Sequence, residues 1–277
     1  MTTMRSGTAD IDGGKLYYEI DGEGETLVLC HAGFVDSGMW DNQWSVFTQH
    51  YRVIRFDGFG YGKSSKATGP VCRREDAYQL LKQLGVERAI LVGCSMGGEM
   101  VIDMALEHPE LVSALIAVSA TPSGFQMQGQ PPRYLMEMIE ASQQGDLQRA
   151  SELQIRIWVD GPFREPDQVN PLVRQRASAM NRIPVKRGTW AVADLQPLNP
   201  LNPPAVGRLS AINVPTLIIA SALDDPEILR AADVLQAGIP GAQKVILSNA
   251  AHVPSMEQPE VFNQTILTFL ATAHAPT

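Results

Sequence analysis

The sequence predicts an α/β protein in which helices flank a mostly parallel central sheet and a helical insertion interrupts the core. Three observations support this fold class: short aliphatic runs recur along the chain, amphipathic stretches separate them, and residues 122–210 contain few strand-like runs. Strands that are buried on both faces of a sheet are nearly continuous in aliphatic residues. The recurring runs therefore indicate a parallel sheet that is covered on both sides.

The strands and helices of the core alternate along the chain. The predicted strands are Leu16–Ile20, Thr26–Cys30, Arg52–Phe56, Ala89–Cys94, Ala114–Ser119, Val214–Ala220 and Gln243–Ser248. The helices predicted between and after them are Glu75–Leu84, Gly97–Glu107, Pro226–Gln236 and Pro259–Leu270. Gly85 follows the first helix and His108-Pro109 follows the second, which are typical stop signals. This alternation predicts right-handed βαβ units.

Residues 122–210 depart from this alternation. They contain helical patterns at Pro132–Gln144, Leu147–Val159 and Gln168–Arg182 and end in a proline-rich segment, Pro197 to Pro204. We expect residues 1–121 and 211–277 to form one core and residues 122–210 to form a helical cap over the carboxyl edge of its sheet. The alternative is that these helices belong to the same layered core.

The composition excludes several function classes. The 277 residues are 44% apolar and 19% charged, and 30 acidic against 22 basic residues give a net charge of −8. An acidic surface repels phosphate backbones, so nucleic acid is not an expected partner. No apolar run approaches the ~20 residues of a membrane span. Met1 to Asp12 lacks the apolar region of a secretory signal, so we expect a cytoplasmic protein without membrane partners.

The cysteine content also favours a cytoplasmic protein. Cys30, Cys72 and Cys94 are odd in number and have no metal-ligand spacing. Free thiols in a reducing environment are the natural interpretation.

A serine lies in a turn that is typical of a nucleophile. Gly93, Cys94, Ser95, Met96 and Gly97 form a G-x-S-x-G pattern between a predicted strand and a predicted helix. Glycines on both sides allow the helix to start close to the strand. The Ser95 hydroxyl would then stand at the carboxyl edge of the sheet, at a helix N-terminus where developing negative charge is favoured. Cys94, the last residue of the strand, is expected to point into the core.

A serine hydroxyl needs a base, and His252 is the best placed of the five histidines. His252 follows the predicted strand Gln243–Ser248, so it lies on a loop at the edge that also carries Ser95. His31 is expected to brace a loop. His50, His108 and His274 are expected to be exposed to solvent.

The carboxylate that orients the base should follow a strand between the serine and the histidine. Asp224 lies four residues after Val214–Ala220 and is the favoured candidate. Asp225 directly precedes Pro226 and is better explained as the N-cap of the next helix. No Asp or Glu occurs between Glu110 and Glu137, so the edge after Ala114–Ser119 offers no competing acid.

Two backbone amides are candidates for holding an oxyanion. The amide of Met96, directly after Ser95, is one of them. The second is expected from the loop after Thr26–Cys30, where Gly33 and Phe34 remain alternatives.

Together these segments resemble α/β-hydrolase-fold proteins of the capped esterase, enol-lactonase and cofactor-free perhydrolase kind. The resemblance covers nearly the whole chain and rests on Leu29–Phe34, Asp57–Ser64, Gly93–Gly98, Leu223-Asp224 and Ala251–Pro254, in that order. The family usually has glycine after the histidine where this chain has Ala32. Serine at position 95 disfavours haloalkane dehalogenase and epoxide hydrolase activity, because those relatives use aspartate there.

The residues predict acyl transfer through an acyl-enzyme, with no metal or organic cofactor. The expected substrate is a small uncharged ester or lactone in an apolar pocket lined by Phe34, Met96, Phe125, Met127 and Trp158. The alternatives are a lactonase, a C–C bond hydrolase or a perhydrolase with the same triad, and a slow-turnover ligand receptor. An apolar cap surface is also compatible with a homodimer.

Overall fold

One mixed sheet forms the centre of the molecule. The computed structural model describes residues 4–273, so His274 and the outermost residues of the predicted core lie outside the described residues. Eight strands of this part of the chain pair in the order β1-β2-β4-β3-β5-β6-β7-β8. Their bounds are β1 Arg5–Ile11, β2 Gly14–Asp21, β3 Thr26–Cys30, β4 Arg52–Phe56, β5 Ala89–Cys94, β6 Val112–Val118, β7 Thr216–Ser221 and β8 Gln243–Leu247. From β4 to β8 every pair is parallel, whereas β1 and β2 are antiparallel, which confirms the mostly parallel sheet.

The central strands are buried along their whole length. Every residue of β3, β5, β6 and β7 is buried, and their side chains contribute to two hydrophobic clusters. Their nearly continuous aliphatic sequences made them predictable. Strand β1 was not predicted, because its sequence, Arg5–Ile11, is mostly polar and partly exposed at the sheet edge.

Helices cover both faces of the sheet. They are α1 Asp41–Phe47, α2 Arg73–Gln83, α3 Met96–Glu107, α4 Leu135–Gln144, α5 Leu147–Ile155, α6 Pro171–Arg187, α7 Pro226–Gly238, α8 Pro254–Glu257 and α9 Pro259–Ala273. The short helix α8 was not predicted. Trp40, which precedes α1, is fully buried and packs on Phe262 of α9. None of the helices in residues 4–273 is long and apolar enough to cross a membrane.

The segment 122–210, called the helical insertion below, contains α4, α5 and α6 and no strand within the described residues. Helix α5 widens into a π-helical turn, Arg156–Asp160, so the predicted helix Leu147–Val159 is divided in two. A second π-helical turn, Trp190–Asp194, follows α6. The insertion has a small apolar core of its own, formed by Met138, Ala141, Ala150, Leu153 and Ile157.

A buried ion network braces the insertion. The Asp160 side chain is fully buried, and its Oδ1 accepts a hydrogen bond from Arg174 Nε at 2.8 Å. Its Oδ2 accepts a longer bond from Arg156 at 3.2 Å. These contacts join the turn after α5 to helix α6.

Candidate active site

Ser95 lies on a tight turn between β5 and α3. Its φ and ψ angles are 54° and −115°, a conformation that residues with side chains rarely adopt. A Cβ atom on Gly93 would collide with the Gly97 carbonyl, and one on Gly97 would collide with the backbone of Cys30 and His31. Both glycines are therefore needed for the close approach of helix and strand, as the motif predicts.

Ser95, His252 and Asp224 form one chain of hydrogen bonds. The distance from His252 Nε2 to Ser95 Oγ is 2.7 Å. His252 Nδ1 lies 2.8 Å from Asp224 Oδ2 and 3.1 Å from Oδ1. Asp224 and His252 are each 2% exposed and lie on the loops after β7 and β8. This arrangement can remove a proton from the serine hydroxyl and hold the resulting imidazolium against a carboxylate.

The neighbours of these residues have structural contacts. Asp225 Oδ1 accepts a hydrogen bond from the Glu227 amide at 2.9 Å and caps α7, as its position before Pro226 predicts. Its side chain also reaches the cavity described below. Cys94 is fully buried, and burial raises the pKa of its thiol far above the ordinary range. The thiol is thus held in its unreactive protonated form.

Two of the other histidines hold structural positions. His31 Nδ1 lies 2.8 Å from the Ala32 carbonyl, and His31 Nε2 accepts the Gly58 amide at 3.0 Å. Burial lowers the pKa of His31, so a neutral ring braces the loop. His108 stacks on Tyr78 at 3.7 Å, which corrects the expectation that solvent surrounds it. His50 is exposed as expected.

The candidate oxyanion amides lie close to Ser95. Met96 is the first residue of α3, so its amide has no carbonyl partner within the helix. Gly33, Phe34 and Met96 line the same cavity as Ser95. The buried hydroxyl of Tyr61 lies 2.5 Å from the Gly33 carbonyl oxygen, and the Phe34 carbonyl accepts a hydrogen bond from Asn181 Nδ2 at 2.8 Å. The loop after β3 is therefore fixed from two directions.

A cavity of about 440 Å³ opens over the Ser95 hydroxyl. Its size suits a small-molecule ligand. Of the predicted pocket residues, Phe34, Met96, Met127 and Trp158 line it. Phe125 does not; its ring lies 4.1 Å under the guanidinium of Arg230, which corrects that expectation.

Much of the cavity wall was not predicted. The additional lining residues are Glu99, Ser119, Thr121, Pro132, Leu135, Met138, Gln154, Trp190, Asp194 and Ile228, together with Asp225. Most of them belong to the helical insertion, whose position over the sheet edge has no local sequence signature. Glu99 could have been found, because it follows Ser95 by four residues and therefore shares its helix face.

The charges that line the cavity are all acidic. Glu99, Asp194 and Asp225 reach it, and none of its lining residues is Lys or Arg. Burial, with a smaller contribution from Asp103, raises the pKa of Glu99 to about 7. Asp194 is paired with Arg73. Among residues 4–273, no group of three His, Cys, Asp or Glu side chains is arranged as a metal site.

Comparison with known proteins agrees with this architecture. Residues 25–259 match the α/β hydrolase fold family, and the chain belongs to that family. It is 31% identical to the pimeloyl-[acyl-carrier protein] methyl ester esterase of Yersinia enterocolitica, over 92% of this chain and 97% of the relative. Among solved structures, a hydrolase from Pseudomonas aeruginosa superposes with a TM-score of 0.78 at 28% identity, over 96% of this chain and 98% of the other. An enzyme described as degrading N-acyl homoserine lactones gives 0.77 at 26% identity, over 95% and 100%.

Proposed function

We propose that this chain is a serine hydrolase that cleaves carboxylic esters of small substrates through an acyl-enzyme. The continuous hydrogen-bonded path from Ser95 Oγ through His252 to Asp224 is the observation that supports it most directly. The esterase activity named for the Yersinia relative agrees with this chemistry.

In the first step, Ser95 Oγ attacks the ester carbonyl while His252 Nε2 takes the serine proton. Asp224 holds the imidazole in the tautomer whose Nε2 can accept that proton, and it stabilises the imidazolium. The imidazolium then protonates the leaving alcohol. Water attacks the acyl-enzyme by the same route, with His252 again as the base, and releases the acid.

The oxyanion is held by the amides of Met96 and of Gly33 or Phe34, and Phe34 is the better supported of the two. The N–H and C=O groups of a trans peptide point in opposite directions. Because Tyr61 contacts the Gly33 carbonyl oxygen, the Phe34 N–H of the same peptide group points away from Tyr61 and is left free to bind an oxyanion. A donor that is fixed before the reaction stabilises the developing charge without reorganisation.

The helical insertion acts in this proposal as a cap over a core formed by residues 1–121 and 211–277. Eight of the residues that line the cavity come from the insertion: Met127, Pro132, Leu135, Met138, Gln154, Trp158, Trp190 and Asp194. Trp158 packs against both Phe34 and His252, at ring separations of 6.4 and 4.9 Å. The cap would exclude water from the acyl site and set the size of the acyl group.

A panel of p-nitrophenyl esters, from acetyl to dodecanoyl, tests the proposal. Ser95→Ala should reduce kcat by a factor of ~10⁴ or more, since the nucleophile is lost. Ser210→Ala, at an exposed position outside the cavity, is the matched control and should retain wild-type turnover. Hydrolysis that survives Ser95→Ala unchanged would overturn the proposal.

Lactone hydrolysis is the second candidate, because a relative with the same fold is described as acting on N-acyl homoserine lactones. The same serine would open the ring instead of releasing an alcohol. Comparing kcat/KM for γ-lactones and for open-chain esters of the same acid distinguishes lactonase from esterase activity. A single burst of p-nitrophenol without steady turnover would instead favour the slow-turnover receptor.

A further inference from the structure

One carboxyl group in the cavity has no side-chain partner among residues 4–273. Glu99 lies on α3 one turn after Ser95 and lines the main cavity. It also lines a smaller cavity of about 120 Å³ beside the proline-rich end of the insertion. Among the described residues, no side chain donates a hydrogen bond to the Glu99 carboxyl or forms an ion pair with it. Glu99 is half-buried, and a carboxylate that has lost much of its water without gaining a partner is costly, so a position of this kind favours a ligand that completes it.

The nearest arginines are already neutralised. Arg73 is paired with Asp194 through Nε at 2.7 Å and through Nη2, and Arg74 Nε donates to Glu107 at 2.8 Å. Both arginines line the smaller cavity, and neither lines the cavity over Ser95. No positive charge of the protein therefore compensates Glu99 on the side of the main cavity.

Two indole side chains also line this cavity. Trp158 and Trp190 line the same cavity as Glu99. Indole rings attract cations through the negative potential of their faces. A carboxylate and two indoles around one cavity are the groups that bind an ammonium ion, whereas a carboxylate-bearing substrate would meet only negative charge.

We propose that Glu99 makes this site selective for esters that carry an ammonium group a few bonds from the reacting carbonyl. The inference rests on the proposed esterase function. Glu99 follows Ser95 by four positions, one helical turn and ~6 Å along the axis, so its carboxyl group lies on the side of the cavity next to the nucleophile. The ammonium group loses its water shell when it enters the cavity, and the Glu99 carboxylate compensates for the lost water contacts.

The selectivity should depend on pH. The charged groups around Glu99 are Asp103 on the same helix, Arg73 and Arg74 on α2, Asp194 from the insertion and Asp225 from the loop after β7. Burial and Asp103 raise the pKa of Glu99 to about 7. The preference for a cation therefore develops as the pH rises through about 7, when the carboxyl group ionises.

Acetylcholine and 3,3-dimethylbutyl acetate provide the test, because they have the same shape and differ only in a permanent positive charge. We measure the ratio of their kcat/KM values between pH 6 and 8.5. Steps of the acyl transfer that both esters share cancel in the ratio. In the wild type the ratio should rise with pH, and Glu99→Gln should lower it about tenfold at pH 8.5 and remove its pH dependence.

Asp103→Asn is the matched control, since Asp103 lines only the smaller cavity. This variant should keep the preference for acetylcholine. The pH at which the kcat/KM ratio has risen halfway should be lower than in the wild type, because a negative charge next to Glu99 has been removed. A ratio that is the same in wild type and Glu99→Gln at pH 8.5 overturns the inference. If the neutral ester still requires Ser95, the esterase proposal stands.

Binding gives a readout that does not need catalysis. The fluorescence of Trp158 and Trp190 reports the affinity of Ser95→Ala for each ester without hydrolysis. Adding Glu99→Gln should weaken acetylcholine binding about tenfold and leave 3,3-dimethylbutyl acetate unchanged. Equal acetylcholine affinity with and without Glu99 overturns the inference even if the ester is not a substrate.

Discussion

Ser95 combines a strained backbone with an essential position. Its φ of 54° costs of order 1–3 kcal/mol for a residue with a side chain. The cost is retained because the turn exposes Oγ to His252 Nε2 at 2.7 Å. The close contacts at Gly93 and Gly97 fix the turn on both sides. The backbone strain at Ser95 therefore lowers the stability of the fold, but the same turn places the hydroxyl next to His252.

Replacing Ser95 by glycine should make the protein more stable than replacing it by alanine. Glycine adopts positive φ at no steric cost, so we expect Ser95→Gly to exceed Ser95→Ala by ~1 kcal/mol in free energy of unfolding. Urea denaturation of the two inactive variants measures the difference. At exposed Ser210, where no positive φ occurs, glycine should be no better than alanine. The same ranking at both positions would contradict the role of strain.

Asp224 and Asp225 should respond differently to the same substitution. Asp224→Asn removes the carboxylate that orients His252 and should lower kcat by ~10⁴ with little loss of stability. Asp225→Asn keeps an N-capping side chain on α7 and should leave kcat within a few-fold of wild type. Steady-state kinetics with p-nitrophenyl acetate measure kcat for the two variants. A larger kcat loss in Asp225→Asn would assign the acid to Asp225.

At the scale of single residues, the sequence predicted the positions that a local pattern specifies. Ser95 has a turn motif, and His252 and Asp224 follow strands, so their meeting could be anticipated from strand order. Ser119 could not be assigned in the same way. Ser119 has a φ of 45° and a buried hydroxyl without a partner, but both features exist only in the folded chain.

At the scale of elements, one buried hydroxyl connects the core to the insertion. Tyr61, in the loop after β4, contacts the Gly33 carbonyl of the loop after β3. It also lies 2.6 Å from Asp194 Oδ2 in the second π-helical turn. Asn181 of α6 adds a second connection, because it donates to the Phe34 carbonyl. The insertion is thus attached to the loop that carries the candidate oxyanion amide.

Tyr61→Phe tests whether this connection matters for catalysis. Without the hydroxyl, the peptide between Gly33 and Phe34 loses its anchor, so we expect kcat to fall about tenfold while KM changes little. The free energy of unfolding should drop by ~1–2 kcal/mol, because the hydrogen bond of the Tyr61 proton, which the Gly33 carbonyl and Asp194 share as acceptors, is lost. Tyr78→Phe, whose ring stacks on His108, is the control and should leave kcat unchanged. A change in KM alone would contradict an oxyanion role.

The elements that the sequence predicted are those with strong apolar periodicity. Strands β3, β4 and β5 have the predicted bounds. Strand β1 and the short helix α8 lack such a pattern, since β1 is partly exposed and α8 has only four residues. The π-helical turn at Arg156–Asp160 depends on the packing of Asp160 between two arginines, which local propensity does not encode.

At the scale of the whole molecule, several carboxyl groups are partly removed from solvent. Burial raises the pKa of Asp36 and Asp103 to about 6, and the pKa of Asp76 and Glu99 to about 7. The net charge of −8 acts in the same direction, because ionisation adds to an existing excess. The native state therefore binds more protons than the unfolded chain between about pH 4 and 7.

The stability of the protein should fall as the pH rises from 6.5 to 8. Over this range the native state releases protons that the unfolded carboxyl groups have already lost, so the free energy of unfolding decreases. His31 opposes this only below about 6.5, since its lowered pKa makes the folded ring resist protonation. Thermal unfolding should show a lower Tm at pH 8, by about 2–4 °C for each kcal/mol lost. Asp76→Asn, which removes a buried carboxyl with an unpartnered oxygen, should flatten this dependence, whereas a Tm that rises with pH would contradict the assignment.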